Sequence, residues 1–413
     1  MSTHDQFLQA ILDDPENDLP RLIYADWLDE QGDPRGEFIR VQCELARLDR
    51  YDPSYRPLEE RQNALFKKNK AKWTKDLKVA AIRSYEFRRG FVEQVTLNAK
   101  NHLQNAEALL DRVPTIRGMK INAMKTVLNE LLESKWLERL EALNFTSCQM
   151  GTRRLKRFLR SKHLTNIREL NLTSNGLGTA GFESMMDADT LPNLKTLMLN
   201  NMNLPSIQGL EKVAQGRLWS QLTDVELSGN EFNDDRLVEL AENWPTCDWK
   251  RLDISYNLVS TSGLTALLES GHTNSLETLN LRGSRHLTDE AMISLANSDS
   301  LENLSSLDLW GCSIGIAGLA AIMNSKTLVN LRRLSITCDD SSSNVFRTVA
   351  ESTGLPALEE LNLDTLQLNI LGLAPLRQPG KFHTLKTLVL LTYLGEPKVV
   401  EELRRLLPDV NIV

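Results

Sequence analysis

Cysteine is scarce in this 413-residue chain and poorly placed for chemistry. The five copies (Cys43, Cys148, Cys247, Cys312, Cys338) are odd in number, and no two form a C-x-x-C. That spacing argues against a zinc site or a dithiol redox motif and favours a reduced, cytoplasmic setting. The six histidines (His4, His102, His163, His272, His286, His383) are as scattered, with no H-E-x-x-H. No phosphate-cradling G-x-x-x-x-G-K-[ST] occurs, and the single G-x-G-x-x-G (Gly176 to Gly181) and G-x-S-x-G (Gly311 to Gly315) both fall inside the repeated pattern described below. No metal or cofactor is therefore expected, no catalytic residue is assigned, and the chain reads as a non-enzyme. No stretch approaches the ~20 apolar residues that span a bilayer. Met1 to Ala10 lacks the cationic-then-apolar order of a secretory signal, so no membrane insertion is expected.

Charge is unevenly distributed. Residues 1–48 hold eleven Asp/Glu against four Arg, and residues 56–89 hold eleven Lys/Arg against four Asp/Glu. The remainder is near neutral and offers no broad basic surface to track a phosphate backbone, which disfavours nucleic acid as the partner. The two opposed blocks are expected to lie against each other.

What the chain has in abundance is one pattern, L-x-x-L-x-L. Twelve copies begin at Val92, Ile116, Leu140, Ile167, Leu194, Leu222, Trp249, Leu276, Leu304, Leu331, Leu358 and Leu385, separated by 24 to 28 residues. A fixed period of this size signals stacked units, each burying its apolar face against the next. Within each copy the apolar residues point inward and their neighbours outward, the alternation of a short strand. An amphipathic helix then returns the chain, as in Gly181–Met186, Gly263–Leu268 and Gly318–Ile322. Eight residues after a repeat start stand Asn175, Asn230 and Asn257. Their amides both donate and accept, which suits a backbone loop that has left the sheet. Cys148, Ser284 and Cys312 occupy the same phase and do part of that work.

Three regions follow. Residues 1–48 show apolar stripes at helical spacing (Phe7, Leu8, Ile11, Leu12; Leu22, Ile23, Trp27, Leu28; Phe38, Val41, Leu45, Leu48), with Asp18 and Asp33-Pro34 as start signals. Residues 49–90 hold a proline-bearing linker and a Lys-rich amphipathic helix near 58–78, expected to cap the first repeat. Tyr85–Phe91 is expected to feed that repeat as a strand or turn. Residues 91–413 are the repeat array.

Two resemblances attach to these residues. The motifs Asp14-Pro15, Tyr24-Ala25-Asp26-Trp27-Leu28 and Gly32 to Arg40 resemble the repeat-companion domain at the N-termini of many planctomycete-type bacterial proteins. That implies a partner for downstream repeats and carries no catalytic activity. The repeats themselves, as in N-L-T-S-N-G-L-G-T-A-G, resemble ribonuclease-inhibitor-like leucine-rich repeats. The implied fold is an α/β leucine-rich-repeat solenoid, a horseshoe with a parallel sheet of about twelve strands, preceded by a small all-α domain. The string Cys338-Asp339-Asp340 resembles the C-x-D nucleophile of some bacterial leucine-rich-repeat ubiquitin ligases, but it follows a repeat strand directly rather than lying in a helical domain.

The outward strand positions are the candidate partner surface, since repeat proteins present such faces to ligands. From Thr96 and Asn98 to Val389 and Leu391 most are small and polar. The exceptions gather in repeats six to nine: Glu226, Asp253, Arg282, Asp308 and a large, exposed Trp310. This patch is expected to bind a protein with a basic surface on the concave face. The alternative is a nucleic-acid or anionic-surface binder working through the basic helix. The pattern leaves the oligomeric state open.

Overall fold

The computed structural model describes residues 2–48, 50, 52–98, 103–122, 124–202, 214–245, 247–366, 370–377, 384–390 and 397–413. Leu391, His102 and His383 lie outside them. The chain divides into two compact units: Met1–Cys148 with Arg160–Leu170 and Thr190–Pro192, and Gln149–Leu159 with Asn171–Asp189 and Asn193–Val413.

The first unit opens with α1 (Thr3–Asp13), α2 (Asp18–Glu30) and α3 (Arg35–Leu45). Ser2 and Asp5 close a reciprocal capping box on α1, satisfying two N–H groups that the first turn leaves orphaned. The cap of α2 is Asn17, not Asp18: Asn17 Oδ1 accepts from the Leu19 N–H at 2.9 Å. Asp18 instead pairs with Arg47 at 2.8 Å and Arg89 at 3.3 Å, because cations on two other elements reach it. The helices share one apolar cluster, Ile11, Tyr24, Ala25, Leu28, Ile39 and Cys43, which also takes in Phe91.

The Lys-rich helix is α4 (Tyr55–Trp73), followed by a 3-10 turn, Lys75–Ala80. Helix α4 packs on α3, while the 3-10 turn packs on Ala106–Arg112, the helix of the first repeat. The expected capping of that repeat thus falls to the turn. The acidic and basic blocks do meet, through Lys72–Asp33 at 2.9 Å, Arg61–Glu37 at 2.5 Å and Arg89–Glu16 at 3.2 Å. These pairs are exposed and contribute ~0–1 kcal/mol each. Apolar contact carries the docking, notably Phe38 against Trp73 with ring centroids 4.6 Å apart. Deeper in, Arg21 and Glu93 form a buried pair at 2.6 Å.

Strand β1 (Ser84–Arg88) runs antiparallel to β2 (Phe91–Asn98), turning at Arg89-Gly90, both in the left-handed region. A Cβ on Gly90 would sit 2.2 Å from Ile39 Cγ1, so only glycine allows that approach. Strands β3 (Gly118–Asn122) and β4 (Ala142–Asn144) then add in parallel, one per repeat. The residues of β5 (Glu169–Asn171) are shared between the two units.

The second unit continues with β6 (Thr196–Met198), β7 (Asp224–Glu226), β8 (Arg251–Asp253), β9 (Thr278–Asn280) and β10 (Ser306–Leu309). It ends with β11 (Arg333–Ser341), β12 (Glu360–Leu366), β13 (Thr387–Val389) and β14 (Asn411–Ile412). All pairs from β6 to β14 are parallel and in chain order. Each of the twelve sequence repeats thus supplies a strand, β2 to β13, and its inward leucines are buried, save the half-buried Leu390 of the last repeat. Strands β1 and β14 are additional. They pair with the outermost repeat strands, whose unpaired edges would otherwise template association.

The ladder asparagines and cysteines work as their chemistry implies, whereas Ser284 Oγ, at the same phase, is buried without a hydrogen-bond partner among the described residues. Asn257 Nδ2 donates to Leu227, Ile254 and Ser255 carbonyls, and its Oδ1 accepts from Asn230 and Phe232 N–H at 3.0 Å each. Asn230 and Asn175 do likewise toward Met202 and Met150. Cys148 and Cys312 donate weak thiol bonds to Ile121 and Leu281 carbonyls. The helices cap one another: Asp234, in Asp234–Asn243, accepts from Ser260 N at 2.7 Å, and Asp289, in Asp289–Ala296, from Gly315 N at 2.6 Å. Burial favours the neutral Asp234, yet the Ser260 and Ser262 hydroxyls hold its carboxyl below the ordinary range. A Cβ on Gly263 or Gly318 would meet those same aspartates at 2.5 Å. Close packing, not a turn, requires these glycines.

Candidate functional site

The patch lies wholly in the second unit, on the outward face of β7 to β10 and the residues just after them. Parallel register sets Glu226 beside Asp253, Asp253 beside Asn280, and Asn280 beside Asp308. Such neighbours are ~5 Å apart. Their side chains are first put to local use. Asp253, Asn280 and Asp308 each accept from the N–H two residues on, at Ser255, Arg282 and Trp310, with distances of 2.9 to 3.0 Å. This turn chemistry is typical of Asp and Asn and ends each strand. The remaining polar atoms link the repeats: Asn200 Nδ2 donates to Glu226 at 2.8 Å, and Asn280 Nδ2 to Asp253 at 2.7 Å.

Arg282 is the centre. Its guanidinium carbon lies 4.0 Å from the Trp310 ring centroid, its Nε donates to the Tyr256 hydroxyl at 3.0 Å, and its Nη1 stands 3.9 Å from Asp308. Three consecutive repeats therefore meet at Arg282, which lies over the Trp310 ring and is hydrogen-bonded to the Tyr256 hydroxyl. Trp310, expected from sequence to be exposed, is half-buried, because Arg282 covers its face. Burial raises the Asp308 carboxyl above its ordinary range, ahead of the lowering effects of the Trp310 N–H and of Arg282. The five sequence candidates do come together, although Glu226 joins only through its strand pairing with Asp253.

Tyr256, 55% exposed, is not among the outward strand positions that the alternation marks. It stands one residue beyond them, where the backbone turns left-handed, with φ of 51°. The same phase is left-handed at Ser174, Asn201, Gly229, Gly283 and Gly311. At Gly283 the absence of a side chain matters: a Cβ would lie 2.5 Å from the Tyr256 ring. That glycine lets the ring lie over the backbone and reach Arg282. An aromatic directly before the ladder asparagine, with glycine one repeat later, was the available sequence signal.

The Cys338 string does not make a nucleophile. Cys338 is fully buried in β11, and burial, with Asp340 and its neighbours adding to it, pushes the thiol up to about 12. A reactive cysteine needs the opposite, a thiolate at neutral pH.

Residues 163–186 and 272–296 match the family described as Leucine Rich repeat. With the strand-per-repeat register above, the fold is that of an α/β leucine-rich-repeat solenoid. Comparison with curated proteins finds no match. Among solved structures, the chain is similar to one from the Rad7 and Elc1 complex in yeast, with 19% identity, a TM-score of 0.43, and 87% of this chain and 92% of that chain covered. It is also similar to a chain of a TLR13-ssRNA13 complex (16% identity, TM-score 0.44), covering 72% of this chain but only 42% of that one. An internalin (inlF) from Listeria monocytogenes str. 4b F2365 is similar at 15% identity and a TM-score of 0.36, with 77% and 85% covered. Among the described residues, no helix is long and apolar enough to cross a membrane.

Proposed function

We propose that this chain is a non-enzymatic protein-interaction scaffold whose partner docks on the outward strand face around Arg282. The observation that carries the reading is the Tyr256–Arg282–Trp310 cluster, aromatic and guanidinium surface on three adjoining repeats. Tyr, Trp and Arg dominate the energetics of protein interfaces. Three carboxylates, Glu226, Asp253 and Asp308, stand against the single Arg282 and favour a partner presenting Lys or Arg around an apolar centre. Residues 1–48 act in this reading as a bacterial repeat-companion domain, 49–90 as the connection and 91–413 as the binding array, in a cytoplasmic setting. The test is calorimetry against a partner identified by cross-linking and mass spectrometry, with unfolding midpoints measured alongside. Trp310→Ala should weaken binding by ~2 kcal/mol or more with little loss of stability. Equal affinities for Trp310→Ala and wild type would remove the surface from consideration.

A second reading has its own observation: Lys67, Lys68, Lys70 and Lys78 of the basic segment are exposed. An anionic partner there would show retention on nucleic acid that falls steeply with salt, as counterion release requires. Lys72 and Arg61 are already engaged by Asp33 and Glu37, which leaves this face less cationic than its sequence suggests.

A further inference from the structure

The first unit holds a second site that the interaction surface does not use. A cavity of about 310 Å³ opens between the N-terminal helices, the 3-10 turn after α4 and the first repeat. Its polar lining includes His4, Tyr24, Asp33 and Arg35, and its apolar lining includes Leu8, Leu28, Leu77, Trp73, Phe91 and Val113. Tyr24 to Leu28 and Gly32 to Arg40, the two motifs singled out in the N-terminal sequence, converge on it.

Arg35 sets this cavity apart. Its guanidinium is ringed by aromatic faces, with Trp73, Phe87 and Phe91 centroids at 5.1, 5.2 and 5.4 Å. Among the described residues it makes no hydrogen bond and no ion pair; only its backbone N–H is held, by Asp33 Oδ1 at 3.0 Å. Burial pulls the group down to about 10, with Tyr24 and Asp33 acting the other way. The neighbouring buried arginine is built differently. Arg21 has Glu93 at 2.6 Å and donates to the Pro15 and Arg89 carbonyls. A buried cation is normally compensated in that way; Arg35 is half-buried, lines the cavity and has no hydrogen-bond or ion-pair partner for its guanidinium among the described residues, which suits it to take an anion.

We infer that this cavity binds a carboxylate carried on an apolar body, the carboxylate pairing with the Arg35 guanidinium. A guanidinium presents a planar fork that matches a carboxylate with two parallel bonds. One charge suffices: the other cations, Lys72, Lys75 and Arg112, are exposed at the rim, and Lys72 already pairs with Asp33. The Asp33 carboxylate would repel a dianion such as phosphate. The aromatic and aliphatic walls take the apolar body, in a volume at the small end of ligand pockets. The carboxylate belongs either to a free small acid or to the C-terminus of a peptide.

Calorimetric titration of the full chain tests this. The probes are 3-phenylpropionate, 3-phenylpropan-1-ol, inorganic phosphate, and the tripeptide glycyl-glycyl-phenylalanine as acid and as C-terminal amide. The expected result is binding of 3-phenylpropionate or the peptide acid, with the alcohol and the amide at least tenfold weaker. The acid that binds tighter identifies the source. Arg35→Lys keeps the charge but loses the fork, and should weaken binding at least tenfold. Arg35→Met keeps the stem without the charge; it should abolish binding and retain the wild-type unfolding midpoint. The inference is overturned if no carboxylate binds, if alcohol and acid bind alike, or if phosphate binds tighter than either acid. Wild-type affinity in Arg35→Lys, or a lowered midpoint in Arg35→Met with unchanged binding in Arg35→Lys, would make Arg35 structural and overturn it as well.

Discussion

Replacing Asn257 by Ala isolates what the ladder contributes. The residue is 2% exposed, and its amide makes five hydrogen bonds to backbone groups. The two lost acceptances fall on Asn230 and Phe232 N–H, both in buried residues. On the carbonyl side Leu227 keeps the Asn230 amide as donor at 3.0 Å and Ser255 keeps Gly229 N at 3.0 Å, while the buried Ile254 carbonyl loses its donor among the described residues. Each orphaned buried group costs about 1–3 kcal/mol, which places the total for the three at about 3–9 kcal/mol. That is a large share of the ~5–15 kcal/mol that holds an ordinary domain. Stacked repeats couple chiefly to their neighbours, so the damage should stay local. Urea unfolding followed by circular dichroism measures the total, and hydrogen exchange with mass spectrometry locates it. Exchange should quicken at Asn230 and Phe232 while Met150, held by Asn175, keeps its protection. A stability change under ~0.5 kcal/mol with unaltered exchange would show that the amide ladder carries no such load.

Other perturbations probe other terms. Leu279→Ala removes a fully buried inward residue of β9 and should cost ~2–5 kcal/mol by urea unfolding, through lost burial and a residual cavity. Arg21→Met leaves Glu93 buried without its cation and should cost ~3–5 kcal/mol, read from the unfolding midpoint of the first unit. Asp308→Asn tests a pH linkage. The folded-state pKa of Asp308 is raised, so wild type gains stability as pH falls and loses it as pH rises through that value. The amide keeps an oxygen for the Trp310 N–H but not the charge. The variant should therefore be the more stable at neutral pH, with its advantage shrinking in acid. An advantage that grew in acid would refute the sign.

The repeat phases were legible because burial enforces them. Slipping any strand by one residue would turn its leucines to solvent and its polar residues inward, so twelve starts in the sequence became twelve strands, β2 to β13. The end strands were harder. Tyr85–Phe91 was read as a strand or turn, whereas nothing in Asn411-Ile412 separated it from a tail; both pair with a repeat strand edge, which one-dimensional pattern cannot display. Caps failed by one residue at α2, because Asn17 and Asp18 are equally good caps in isolation and only Arg47 and Arg89 decide between them. The residues around Arg282 do neighbour one another, and Trp310 is half-buried where its outward strand position implied exposure.

The sequence by itself determined the period, the inward face, the ladder asparagines and the opposed charge blocks. Each rests on local alternation or on residue chemistry that needs no distant partner. Tertiary structure alone decided that Tyr256 turns left-handed over Gly283 to meet Arg282, and that Arg282 lies on Trp310. It alone brought Arg35 to Trp73, Phe87 and Phe91, with no ion pair to its guanidinium among the described residues. These arrangements depend on side chains far apart in the chain competing for the same few ångströms, and that competition is settled only once the backbone has packed.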